Sequence, residues 1–326
     1  TGRRLLSQTN GRPALAGLQR ILQQVILVES PENRIKELAL EVEGLVKKRV
    51  LVLETTTRWV EARWELEPLE ALAAQWADAG HPGAEWLLSQ SGVRWQQLGE
   101  WSLAEPPLRR SLSIAEETLG KNHPNYAAAL GNLAALFLDT DRIDEAEGML
   151  REALTIEESQ SPPDDRKVAL RLSSLALLLQ RTGRMIEAEQ MMRRALIMDE
   201  ARVPAEPQAV AVRLNNLALL LHATGRLEEA ARLSRRALDT DQLALGGQHP
   251  AVAVDLNNLA QIELTLFMRH GDERWIDEAE AAMRRAWEID RLNFGENHPT
   301  VASDINNLAE VLITTRRLAE AEPLLR

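Results

Sequence analysis

Leu214-Asn215-Asn216-Leu217-Ala218 returns along the chain as Leu256 to Ala260 and Ile305 to Ala309, and in looser form as Leu130 to Ala134 and Leu172 to Ala176. With the second Asn position as a ruler, the series runs Gln90, Asn132, Ser174, Asn216, Asn258, Asn307, which is four steps of 42 residues and one of 49. A fixed period in this range points to a stacked repeat array, in which each unit buries its apolar face against its neighbours.

Each unit splits into two helices. In the fourth, Ala211 to Ala223 reads as the first, Thr224-Gly225-Arg226 as a turn with Gly at the helix stop, and Leu227 to about Leu243 as the second. Small residues recur at fixed offsets from the ruler: two on (Gly92, Ala134, Ala176, Ala218, Ala260, Ala309), fourteen on (Ala104, Ala146, Ala188, Ala230) and twenty-one on (Ser111, Ala153, Ala195, Ala237). Such positions let helix axes approach to the short end of roughly 8 to 10 Å, and a larger side chain there overpacks. Asn122-His123-Pro124, Pro162-Pro163, Pro204, Pro207, His249-Pro250 and His298-Pro299 mark the loops between units, proline suiting the first turn of the next helix. The fifth unit carries seven extra residues around Phe267 to Arg274, with register restored at Ala279 and Ala286. Either both helices lengthen by about a turn or a loop protrudes; Trp275, which continues the apolar pattern, favours lengthening.

Bulk composition agrees with an all-α fold. The chain is rich in Leu and Ala, only 4% aromatic and 27% charged. A formal net charge of −11 argues against nucleic acid or an anionic membrane as the main partner. The absence of cysteine removes disulfides, thiolate metal sites and cysteine nucleophiles from this segment. No apolar run reaches 18 residues and the first residues lack a signal-peptide core, so a cytoplasmic chain is the default expectation.

Before the repeats, Leu18, Ile21, Leu22, Val25 and Ile26 share one helical face, and Ile35 to Val50 repeat the pattern after the break at Ser30-Pro31. Val50 to Leu53 fits a buried strand equally well. Six of the eight tryptophans lie between Trp59 and Trp101 and bracket a helix expected over Pro68 to Ala79. They suit a seal on the open end of an array; a ligand-stacking cage is the alternative. The turn signal Asp78 to Gly83 suggests a boundary, giving an N-terminal helical region at 1–84 and six repeats at 85–326, the last cut short inside its second helix.

These features together resemble tetratricopeptide repeats. The 42-residue unit, the Leu-Asn-Asn-Leu-Ala motif and the Gly-x-x-His-Pro loop are similar to the kinesin-light-chain type. The resemblance implies helix pairs stacked into a right-handed superhelical solenoid, its first helices lining a concave groove for extended peptides. A second resemblance concerns Leu15 to Ile26, the helix at Asn33 to Lys48 and the Trp-rich segment. That order looks like the junction in NB-ARC-type signalling NTPases, where the end of a winged helix precedes a tetratricopeptide sensor. It would make this chain the partner-sensing part of a multidomain signalling NTPase. A stand-alone adaptor of the kinesin-light-chain kind, or an array fused to an enzyme or transcription factor, are the alternatives.

The candidate site follows from the ruler. Asn is a mediocre helix former, so its repetition within helices needs a reason. Its amide either grips a peptide backbone, as donor and acceptor at once, or ties neighbouring helices together. Adjacent residues project about 100° apart, so both members of a pair do not face a groove squarely. In the family the second Asn is often groove-facing, which nominates Asn132, Asn216, Asn258 and Asn307 ahead of Asn215, Asn257 and Asn306. Three residues on stand Ala135, Leu177, Leu219, Gln261 and Glu310, an apolar-to-polar gradient in which Leu177 and Leu219 are either anchors for a partner or plain core. His222 is the histidine expected near the groove, where a pH-sensitive contact is conceivable. The Arg-Arg pairs at 109–110, 193–194, 235–236 and 284–285 suit a solvated outer face better than phosphate binding, given the interspersed Glu. His123, His249 and His298 lie a repeat apart before prolines, which favours loop structure over metal ligation. No HExxH, GxGxxG or P-loop motif occurs, and no cofactor, metal or catalytic residue is expected; the partner is a protein or peptide segment.

Overall fold

A computed structural model describes residues 44, 47, 48, 66–202, 206–296 and 298–325. The expected helices over Leu18 to Ile26 and Ile35 to Val50 fall outside these residues, apart from Gly44, Lys47 and Lys48, which are helical. The alternative strand at Val50 to Leu53, Trp59, Trp64 and Pro204 also lie outside them.

Among the described residues the chain forms thirteen helices and no strand. It divides into two compact units, Thr1–Ile114 and Ala115–Arg326. The first holds α1 (Leu66–Asp78), α2 (Ala84–Gln97) and most of α3 (Trp101–Leu119). Its core is Leu69, Leu72, Ala73, Leu87 and Leu88, with Trp76, Trp86 and Ile114 packed against them. Trp95 is buried and its indole N–H donates to Glu70 at 2.9 Å, while Trp76 stacks on His81 with ring centroids 4.2 Å apart. These three tryptophans are therefore packing groups. Gly92 answers to Leu108: a Cβ there would stand 2.5 Å from the Leu108 Cγ.

The second unit is a row of helix pairs: α4 (Pro124–Asp139) with α5 (Ile143–Ser159), α6 (Asp165–Arg181) with α7 (Met185–Ala201), α8 (Pro207–Ala223) with α9 (Leu227–Leu245), α10 (Pro250–His270) with α11 (Glu273–Phe294), and α12 (Pro299–Thr314) with α13 (Leu318–Leu325). Helices pack closely within a pair, and each second helix packs also on the first helix of the following pair. The crossings lie where small residues recur: Ala134, Ala146, Ala153, Ala176, Ala188, Ala195, Ala230 and Ala237 are fully buried, and Leu133, Leu150, Leu175 and Leu217 fill the space between. Within a pair the chain turns through a left-handed residue. Gly183 and Gly225 take it at φ 77° and 79°, and Asp141 and Arg316 occupy the same place at φ 60°.

Between pairs, His123, His249 and His298 are helix N-caps. Each Nδ1 accepts the backbone N–H two residues on, from Asn125, Ala251 and Thr300, at 3.1, 3.2 and 3.3 Å. The imidazole thus satisfies a first-turn amide just ahead of a proline that needs none. Asp164 does the same work for α6, accepting from Arg166 and Lys167.

The seven extra residues of the fifth repeat lengthen both helices. α10 has 21 residues against 17 in α8, α11 has 22 against 19 in α9, and the turn between α10 and α11 is only Gly271-Asp272. Trp275 lies beneath Arg235, whose guanidinium stands 5.5 Å from the ring centroid.

The second helices carry an ion-pair ladder on their outer side. Arg151 and Arg184 bracket Glu147 and Glu187, and Arg193 and Arg226 bracket Glu189 and Glu229 one repeat on. Arg194 meets Glu158 at 2.7 Å and Arg236 meets Glu200 at 2.6 Å. Arg193, Arg194, Arg235 and Arg236 of the Arg-Arg pairs each meet a carboxylate of a neighbouring repeat. Each exposed pair contributes only about 0 to 1 kcal/mol.

Candidate functional site on the first helices

In the second unit the first helices α4, α6, α8, α10 and α12 also touch one another across the repeats, so they share one face. Helical spacing sets what that face shows. Residues four before the ruler, at the ruler and three after it project together. The row before the ruler is Leu170, Val212 and Val254, all exposed, and the row after it holds Leu177 at 41% and Leu219 at 36% exposure. Leu177 and Leu219 are therefore surface groups and not core.

Leu177, Leu219 and Asn216 come together. They line an open hollow of about 640 Å³ with Leu138, Asp139, Gln180, Arg181 and Met185, spanning α4, α6 and α8 with Met185 from the start of α7. Arg181 is held across its mouth by donating to the Leu138 carbonyl. An apolar floor with a few polar groups at the rim is the usual composition of a small-ligand or side-chain pocket.

The remaining candidates do not join that hollow. Asn132 and Asn258 are half-buried on their own helices. Asn307 Nδ2 donates to Asn257 Oδ1 at 3.5 Å, Gln261 donates to Glu310 at 3.2 Å, and Asn306 is exposed. His222 Nε2 meets Thr265 Oγ1 at 2.9 Å, and burial pushes its pKa below the usual histidine value. A lowered pKa keeps the ring neutral at neutral pH.

In the pairs at 215–216 and 257–258 the first Asn behaves differently from the second. Asn215 is buried and its amide donates to Asp255 of the next repeat; Asn257 donates to Asp304 at 2.6 Å. Both serve as ties between repeats.

Two family models, both described as tetratricopeptide repeat, match this chain, one at residues 69–159 and 209–269 and the other at 168–198. The chain carries tetratricopeptide repeats. Its structure is similar to that of BtubC (BKLC) from P. vanneervenii, at 26% identity and a TM-score of 0.55 over 71% of this chain and 87% of that one. It is also similar to the TPR-like repeats of a kinesin light chain-like protein from Podosopora anserina, at 19% identity and a TM-score of 0.53 over 65% and 97%. The apo quorum sensor NprR from B. thuringiensis shares the fold at 14% identity and a TM-score of 0.52 over 95% and 96%. No curated protein matches.

Within this tetratricopeptide array, sequence reading missed a buried polar layer between repeats. Glu157 meets Arg171 at 3.2 Å and Asp199 meets Arg213 at 3.1 Å, all four nearly inaccessible. At the matching positions of the later repeats stand Asp241 with Asp255 and Asp290 with Asp304, also buried. The partner at the position before the ruler changes in step. Gly131 makes room for Arg171, since a Cβ there would lie 1.6 Å from its Nη1. Ser173 precedes the Arg213 interface, and Asn215 and Asn257 precede the two Asp interfaces. The signal was present as two rows that switch together, Gly-Ser-Asn-Asn against Arg-Arg-Asp-Asp. A second missed group is Glu263, buried in the lengthened α10 and paired with Arg235 at 2.7 Å; burial lifts its pKa to about 7.

Proposed function

We propose that the shared face of the first helices is a groove that captures an extended protein or peptide segment, with one apolar side chain of the partner seated in the hollow between Leu177 and Leu219. The observation that carries this reading is that hollow of about 640 Å³, with its apolar walls and the Asn216 amide beside them. Leu170, Val212 and Val254 extend an exposed apolar row along the same face. Asn216 and Asn258, with Asn132 and Asn307 at the flanks, supply amides for the partner backbone. Each such bond contributes about 0.5 to 1.5 kcal/mol, so several act together with the apolar anchor. Gln261 and Glu310 form the polar end of the groove, and His222, neutral and bonded to Thr265, borders it. No described helix is long and apolar enough to cross a membrane.

In the fuller form of this proposal, the array is the partner-sensing part of a cytoplasmic multidomain signalling NTPase, with residues 1–84 as the connecting region. The support is the order of elements read in the sequence from Leu15 to the Trp-rich segment. The adaptor reading rests on the kinesin-light-chain-like repeats instead.

The test is selection of binders from a phage-displayed library of random linear peptides, followed by titration against Leu177→Asp and Leu219→Asp. Selected peptides with a shared apolar residue, lost from both variants while helicity and melting stay unchanged, support the groove. Peptides that bind both variants as well as the parent chain would remove it.

A further inference from the structure

The four inter-repeat contacts from the second repeat to the sixth are closed by the same two positions, yet only the first two of them contain a cation. At the positions of Glu157 with Arg171 and Asp199 with Arg213, the α9/α10 interface has buried Asp241 and Asp255, and the α11/α12 interface has buried Asp290 and Asp304. All four carboxyls are at most 4% exposed. Asp241 Oδ1, Asp255 Oδ2, Asp290 Oδ1 and Asp304 Oδ2 receive no hydrogen bond, although each is shut off from water. The Asn215 and Asn257 amides supply one donor each, to Asp255 and Asp304, which is too little for two charges. Two ionised carboxylates in such a place would repel one another with little solvent to screen them, so one of each pair keeps its proton.

We propose that the α9/α10 and α11/α12 interfaces are each closed by a buried Asp pair that retains a proton, so that the last three repeats tighten in mild acid and loosen in mild alkali, while the α5/α6 and α7/α8 interfaces, closed by Arg171 and Arg213, follow less steeply.

The surrounding charges fit this assignment. Burial raises Asp255 to about 6, the Asn215 amide opposes the rise and the charge of Asp241 adds to it. Asp241 is itself raised by burial and eased by His249, the N-cap of α10. Burial first and Asp304 second raise Asp290 to about 7, while Asp290 and the Asn257 amide hold back the rise that burial gives Asp304. Glu263, facing Arg235 and Glu278, titrates in the same range and contributes in the same direction, so the test must separate it. At the earlier interfaces burial also leaves Glu157 and Asp199 raised, but Arg171 and Arg213 oppose it, so these interfaces follow in the same direction to a smaller extent.

The sign follows from proton counting. A folded-state pKa above the ordinary carboxyl value means the folded interface binds more protons than the open one. Stability there is complete in acid and is lost as pH rises through about 6 and about 7.

The experiment is amide hydrogen exchange of the whole chain at about pH 5.5 and about pH 8.5, corrected for intrinsic exchange, with wild type beside Asp241→Asn/Asp290→Asn, which needs no retained proton. In wild type, protection of α9 to α12 should fall about tenfold more than that of α5 to α8 between the two conditions. The double variant, which keeps Glu263, should lose most of that excess. Equal falls in both halves of wild type overturn the proposal, as does an excess fully retained in the variant. Should the variant fail to fold, the wild-type comparison decides alone. Recovery of protection at high pH by millimolar Mg²⁺ or Ca²⁺ after EDTA treatment would also overturn it, because the pairs would then hold a metal ion and not a proton.

Discussion

The second-to-fourth repeats and the fourth-to-sixth repeats are joined at the same helix positions by opposite electrostatic solutions. In the earlier stretch a guanidinium enters the layer between repeats and neutralises the acid of the preceding second helix, Arg171 with Glu157 and Arg213 with Asp199. In the later stretch the cation is replaced by a second acid, and an Asn from the repeat before donates to it. Neither solution changes the helix ladder or the alanine crossings. The lesson is that the repeat backbone tolerates either filling, provided volume and hydrogen-bond donors are exchanged together. Gly131, which clears the space for Arg171, and Asn215, which fills the equivalent space beside Asp255, are the visible compensation.

The comparison breaks most severely if the cation is removed. Arg171→Ala leaves Glu157 buried without its counter-charge, and chemical denaturation should register a loss of about 3 to 5 kcal/mol from the repeats around it. Gly131→Val should cost a similar amount, since its side chain occupies the position of the Arg171 guanidinium. An effect below about 1 kcal/mol for both would mean the buried pair contributes little.

The next effect is that of pH. Asp255, displaced from 3.8 to about 6, corresponds to about 3 kcal/mol at its interface, present in full below about pH 3.8 and lost as pH rises through about 6. Thermal melts of fragments reporting on the fifth and sixth repeats should therefore shift downward as pH rises from about 5 to about 8. A shift in the opposite direction would show that the Asp pairs are ionised in the folded chain.

Grafting sharpens the contrast further. Gly131→Asn combined with Arg171→Asp places the later solution in the earlier interface; the chain should fold in mild acid and acquire a steeper pH dependence at α5/α6 than the parent has. At the small end, Arg193→Ala on the outer ladder should cost no more than about 1 kcal/mol, with a matching dependence on salt.

Much of the fold was legible because the 42-residue period, the alanine rows and the Gly-stopped turns are local signals that repeat. Even the seven extra residues were readable, since Trp275 keeps the apolar spacing that a protruding loop would have broken. The site was legible only in outline. Leu177, Leu219 and Asn216 were nominated by their offset from the ruler, but the hollow they share depends on the spacing of three helix axes, which no single repeat encodes. The inner Asn positions were ambiguous for a physical reason: the partner of Asn215 is Asp255, one repeat away, and an acid on a buried helix face looks like a solvated charge until its register is matched to Arg171 and Arg213. The recurrent histidines likewise showed where loops lie, while their capping role required the ring orientation.

The central proposal is a division of labour within Leu-Asn-Asn-Leu-Ala of the fourth and fifth repeats, with Asn215 and Asn257 holding repeats together and Asn216 and Asn258 serving a partner. Thermal unfolding of two double variants tests it without any ligand. Asn215→Ala/Asn257→Ala removes the donors to Asp255 and Asp304 and should lower stability by about 1 to 3 kcal/mol per site. Asn216→Ala/Asn258→Ala should melt within about 0.5 kcal/mol of the parent chain. Equal destabilisation by the two pairs, or a larger loss from the second, would contradict the account.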